Sequence, residues 1–142
     1  AYEDLIDAIT KLEMKGNKAA LKSMLEKAAA ILADTDAYVA STIDGLVTVK
    51  ADAQNVYDNA DAVQSEINAA VKSLTLKIAA ARLLGDVNGD GAVTTSDSVS
   101  VLAASAELTS LDADATASAD VNGDGVADTL DAAVILQTAA EK

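Results

Sequence analysis

A chain of 142 residues, 51% apolar with much of that alanine, has room for one domain or two small ones. Its only aromatics, Tyr2, Tyr38 and Tyr57, argue against a carbohydrate-binding module and against a single-strand nucleic-acid binder, which needs stacking platforms. The absence of Cys and His excludes thiol nucleophiles, Ser-His-Asp chemistry and His- or Cys-ligated zinc, and a net charge of −13 makes nucleic acid and anionic membranes poor partners.

Residues 2 to about 83 read as helices, with no Pro to break them. The chain begins mid-pattern at Ala1, with no signal peptide in view, which predicts a piece cut from something longer. Leu5, Ile6, Ile9 and Leu12 form a first apolar stripe, ended by Gly16 and by Asn17, which suits an N-cap. Leu21, Met24, Leu25, Ala28, Ile31 and Leu32 form the next stripe, up to a turn at Asp34-Thr35-Asp36. A third element spans about Tyr38 to Asn59. Asp44-Gly45 between apolar runs signals a hairpin, but Val39, Ile43, Leu46, Lys50, Ala53 and Tyr57 keep helical spacing, and helix is the reading adopted. Asp61 followed by Gln64 resembles a capping box, opening a fourth helix along Ile67, Ala70, Val71, Leu74, Ile78 and Ala81.

Asn17-Lys18-Ala19-Ala20-Leu21-Lys22 through Leu32 resembles the opening helix of a FIVAR module, and Asp58 to Ala70 resembles its turn and closing helix. The resemblance implies a three-helix bundle over residues 17–84, of a kind found in large extracellular bacterial proteins. Residues 1–16 then form a leading helix, or the tail of a preceding unit.

The charge is uneven. Residues 1–84 carry 12 acidic and 9 basic side chains, whereas residues 85–142 carry 11 acidic and 1 basic. So acidic a segment repels itself when folded unless cations neutralise it. Within it, two twelve-residue loops repeat 34 residues apart, Asp86 to Asp97 and Asp120 to Asp131. Each places an oxygen-bearing side chain at loop positions 1, 3, 5 and 12: Asp86, Asn88, Asp90 and Asp97, then Asp120, Asn122, Asp124 and Asp131. Glycine at position 6 permits the sharp reversal. Position 7, Ala92 or Val126, offers its backbone carbonyl, and position 9, Thr94 or Asp128, acts through water. Calcium takes 6–8 such hard oxygens, whereas magnesium demands stricter octahedral geometry and keeps its waters. Two Ca2+ sites are therefore expected, the second with four carboxylates against three and at least as tight.

Aspartate rather than glutamate at position 12, and the lack of an amphipathic stripe in Asp112 to Ala119 ahead of the second loop, set these loops apart from ordinary EF-hands. In both respects residues 85–142 resemble a dockerin domain. That resemblance implies calcium-dependent binding of a cohesin-like domain on another secreted protein. It also implies partner contacts at Thr95, Ser96, Leu102 and Ala103 and at Thr129, Leu130, Leu136 and Gln137. Cellulosomal dockerins often carry Lys or Arg at the positions of Leu102, Ala103, Leu136 and Gln137, so a more apolar surface is expected here. Paired FIVAR-like and dockerin-like segments resemble the tail of secreted clostridial glycoside hydrolases of the hyaluronidase type, whose partners are cohesin-like modules on sister enzymes.

The fold expected is all-α: a helical bundle followed by a small domain of two loop-helix motifs. On the helices leaving the loops, Ser98, Val101, Ala132 and Ile135 are expected inside, with Leu102, Leu130 and Leu136 as candidate exposed anchors. A calcium sensor or buffer is the alternative, but a sensor exposes a Met-rich groove and residues 85–142 contain no Met. A glycosidase using paired carboxylates finds its clustered acids already committed to the loops. The chain is thus expected to be non-catalytic, whatever its parent does.

Overall fold

The computed structural model describes residues 2–14 and 16–141, with side chains for 2–8 and 16–141. It is helical as expected: α1 (Tyr2–Met14), α2 (Ala19–Ala33), α3 (Ala40–Ile43), α4 (Leu46–Asp58), α5 (Gln64–Ala80), α6 (Thr95–Ser105), α7 (Ala113–Ala119) and α8 (Thr129–Ala140). Among the described residues the single β feature is an antiparallel bridge between Tyr38 and Leu83. No described helix is long and apolar enough to cross a membrane.

The chain folds into two compact units that are discontinuous in sequence. One holds residues 1–33 and 44–80; the other holds 34–43 and 81–142.

In the first unit α2, α4 and α5 pack against one another. Their buried faces follow the 3.6-residue period: Leu21, Leu25, Ala28 and Ile31 on α2, Leu46 and Ala53 on α4, Ile67 and Leu74 on α5. Met24 and Leu32 of the α2 stripe are half-buried. Asn17 Oδ1 accepts from the Ala19 N–H at 2.9 Å, capping α2 from just outside it. Before α5 the expected Asp61/Gln64 capping box does not form. The Asp61 N–H turns back to Asn59 Oδ1, and the Val63 N–H is satisfied by Glu66 Oε2 at 3.1 Å, moving the cap two residues on. Gly16 sits where a Cβ would overlap the Ile67 side chain. On α1, Leu5 and Ile6 are exposed, and Ile9 and Leu12 of that stripe lie outside the described side chains.

The third predicted element is helical but interrupted. Gly45 adopts a left-handed φ of 74°, so α3 stops at Ile43 and α4 starts at Leu46. An L side chain resists that φ, which is why the break falls on the one glycine of the element. The hairpin signal of Asp44-Gly45 thus marks a helix break.

In the second unit Val87, Val93, Val101, Ala115, Ala119, Ala132 and Ile135 form the core, with Leu83, Leu111, Val121 and Ala127 packed against it. These are small side chains, so the core is thin. Ahead of the second loop, where no amphipathic stripe was legible, a two-turn helix does form. Asp112 caps α7 by accepting the Ala115 N–H at 2.8 Å, and the inner face is Ala115, Ser118 and Ala119. Residues too small to register as an apolar stripe suffice because the backbone of α7 is met directly, the Gly85 N–H donating to the Ser118 carbonyl at 2.7 Å.

Candidate metal centre

Both loops are built by one hydrogen-bond pattern, in which side-chain oxygens collect the loop's own backbone N–H groups. In the first, Asp86 Oδ1 accepts from the Gly89 and Asp90 N–H groups at 2.7 and 3.1 Å, and Oδ2 accepts from the Gly91 N–H at 2.9 Å. Asn88 Oδ1 takes the Asp90 N–H and Asp90 Oδ1 the Ala92 N–H. In the second, Asp120 receives Gly123, Asp124 and Gly125, while Asn122 receives Asp124 and Asp124 receives Val126. The reversal that this wrapping requires occurs at Gly91 and Gly125, with φ of 87° and 88°.

Position 12 closes each loop from the first turn of the following helix. Asp97 is fully buried: Oδ1 accepts from the Val87 and Asn88 N–H groups, and Oδ2 from the Thr94 N–H at 2.8 Å and its hydroxyl at 3.0 Å. Asp131 is equally buried and repeats this with Val121, Asn122 and Asp128. Position 9 is the helix N-cap in both: Thr94 with Asp97, and Asp128 with Asp131, each make a capping box. Aspartate at position 12 therefore has a second role beyond its expected one. Its short side chain reaches back to the cap and the loop's beginning together.

In the second loop, one carboxylate oxygen from each of Asp120, Asp124 and Asp131 lie within 4.8 Å of one another; among the described residues this is the one such group of three acids. Oxygens about 2.3–2.6 Å from a shared calcium are at most about 4.6–5.2 Å apart, so this spacing fits one calcium ion. The donors are all hard oxygens, as calcium prefers. In the first loop Asp86 and Asp97 are buried, Asp90 and Asn88 are exposed, and the three acids do not converge as tightly. Ala92 and Val126 stand exposed at position 7; Thr94 and Asp128 are half-buried.

The residues expected inside are inside: Ser98, Val101, Ala132 and Ile135 are all buried. The Ser98 hydroxyl donates to the Ala132 carbonyl at 2.7 Å. Of the candidate partner contacts, Thr95, Ser96, Thr129, Leu130, Leu102, Leu136 and Gln137 are exposed, while Ala103 is half-buried. Leu102, Leu130 and Leu136 are 45%, 64% and 48% exposed, large values for leucine on helices that pack against each other. Val99 and Val134 extend the exposed apolar surface.

Three contributions to the site had no sequence signal. Arg82 donates from Nε to the Asp86 carbonyl at 2.9 Å and from Nη2 to the Val87 carbonyl. The buried Ser118 hydroxyl donates to the same Asp86 carbonyl at 2.8 Å. Residues 34–43 join the unit from far upstream in the chain.

Neither curated proteins nor solved structures gave a match. Residues 84–138 match the family model of the Dockerin type I domain, which supports a dockerin domain in this segment, a non-catalytic module that in general docks to cohesins in a calcium-dependent manner.

Proposed function

We propose that the chain is a calcium-dependent docking module that joins a secreted carbohydrate-active enzyme, of the glycoside hydrolase class, to a cohesin-like domain on a partner protein. In this reading, on the sequence bounds, residues 85–142 are the docking domain, 17–84 a FIVAR-like spacer and 1–16 a leading helix, and the compact unit that holds the loops also takes in residues 34–43 and 81–84. Calcium is held by Asp86, Asn88, Asp90, Ala92, Thr94 and Asp97 in the first loop. Asp120, Asn122, Asp124, Val126, Asp128 and Asp131 hold it in the second, with the carbonyls of Ala92 and Val126 contributing.

The observation that carries the reading is the repeated loop-helix unit. Each loop organises its oxygens through the same side-chain bonds, and the helix that follows keeps large apolar side chains in solvent. Such a patch on a small module marks a partner surface. The clustered acids are committed to loop closure, which favours docking over hydrolysis. A sensor would need a Met-rich groove, and both Met residues fall outside this segment, at positions 14 and 24.

Bound calcium would supply a fixed positive centre; the chain's own residues do the rest. The loops orient α6 and α8, and Leu102, Leu130 and Leu136 provide the apolar contact. Calorimetric titration against a panel of cohesin-like domains, with calcium and with excess chelator, tests this. Saturable one-to-one binding that vanishes on chelation is expected; equal binding in both conditions, or none to any member, contradicts it.

A further inference from the structure

We propose that Arg82 is a positioning residue for the first calcium loop alone, tying it to the strap of residues 34–43. The proposal rests on the calcium reading of the loops and goes beyond it. Arg82 is fixed from one side by the strap. Its carbonyl accepts the Val39 N–H at 2.9 Å, its own N–H donates to Thr42 Oγ1 at 3.0 Å, and the Leu84 N–H donates to the Ala37 carbonyl at 2.8 Å. The Tyr38–Leu83 bridge lies between these bonds, and Val39 beneath them is buried.

From the other side the guanidinium forks onto the carbonyls of Asp86 and Val87, the first two residues of the loop. It also lies against Gly89, where a Cβ would stand 3.2 Å from Nη2. A planar fork with a charge makes stronger, better-directed bonds than a neutral donor. Thirty-four residues later the equivalent of Arg82 is Thr116, whose hydroxyl donates at 2.8 Å to the carbonyl of Asp112, the N-cap of its own helix. The second loop therefore lacks this brace.

The guanidinium's charge opposes a nearby cation, while its fork holds the loop in shape; Arg82→Lys separates the two, because it keeps the charge and loses the fork. The assay is amide NMR of the full chain during calcium titration. It follows Gly91 and Gly125, whose N–H groups donate to Asp86 Oδ2 and Asp120 Oδ2, both at 2.9 Å. In the unsubstituted chain both amides shift. In Arg82→Lys the calcium midpoint at Gly91 rises about tenfold or more, as loss of an outer-shell partner does, while that at Gly125 stays within about twofold. Thr42→Val, which removes the strap's acceptor, moves Gly91 in the same direction. Equal weakening at both glycines makes Arg82 a general structural residue and overturns the proposal, as does no change at either. If neither amide of the unsubstituted chain responds to calcium, the calcium reading fails first, and this proposal with it.

Discussion

Excess chelator should unfold the second unit and leave the first standing. The second unit is residues 34–43 and 81–142, and a unit of that size carries about 4–11 kcal/mol in all. Each calcium site held at 1,000-fold over its dissociation constant contributes about 4 kcal/mol, so two sites are comparable with the whole. Removing the metal also exposes the carboxylates to one another. Asp120, Asp124 and Asp131 approach within 4.8 Å, and each such pair repels by about 1–3 kcal/mol at effective dielectric constants of about 80 to 20. The core, three valines, three alanines and Ile135, has little to set against this. On chelation, α3, α6, α7 and α8, of 4, 11, 7 and 12 residues, should melt. Ellipticity at 222 nm then falls by roughly a third, the share of the helix these elements hold. Hydrogen exchange should show Val101 and Ile135 losing protection while Leu21, Leu25 and Leu74, buried in the other unit, keep theirs. Unchanged ellipticity and proteolysis in excess chelator would refute the reasoning. So would a loss spread evenly over both units.

Asp86→Ala and Asp120→Ala should each reduce the calorimetric calcium stoichiometry from two to one, because each removes the first ligand and the acceptor of three loop N–H groups. Gly16→Ala should lower the thermal stability of the bundle by about 1–3 kcal/mol, since its Cβ must displace Ile67 from a filled core; an unchanged melting curve would contradict that close approach. Leu130→Ala should weaken partner binding by about 1.5–3 kcal/mol, and Ser96→Ala hardly at all, if the partner is held in one orientation. Two mild effects, with only the double substitution abolishing binding, would show docking both ways round.

Much of this architecture was legible because its determinants are local. The α2 and α5 stripes needed only the helical period, and the buried residues fall where it placed them. The inward positions Ser98, Val101, Ala132 and Ile135 followed from their distance after each loop's first residue. Capping at α5 was less legible, because Asn59 competes for the Asp61 N–H and carries the turn further. Helix α7 was illegible as an amphipathic element because its inner face is built of Ala and Ser, which carry almost no hydropathy contrast. The strap was hidden for a different reason. Its bonds join residues some forty positions apart, and two of them, Val39 to Arg82 and Leu84 to Ala37, run through backbone groups that every sequence possesses.

The duplicated loops make two candidate sites that the fold then renders unequal. The Ser98 hydroxyl bonds the carbonyl of Ala132, its own counterpart 34 residues on, so the two repeats meet at equivalent positions. Between the repeats the bonds that Asp86, Asn88 and Asp90 accept are matched by those of Asp120, Asn122 and Asp124, because they depend only on residues inside the repeat. Inside the loops the repeats part at position 9, Thr94 against Asp128, and in how closely the acids converge; the other differences lie at the margins. On the side where the chain reaches each loop, Arg82 and the strap brace the first, and the short helix α7 leads into the second. On the helices that leave, Leu130 stands exposed where the first repeat has Ser96, and Gln137, bonded to Glu141, where it has Ala103. Duplication conserves what a calcium loop needs locally. It leaves free the residues that decide how firmly each loop is held and which face a partner meets. Divergence there leaves each loop's own side-chain bonds in place, so two copies of one motif can differ in how they are braced and in the face they present.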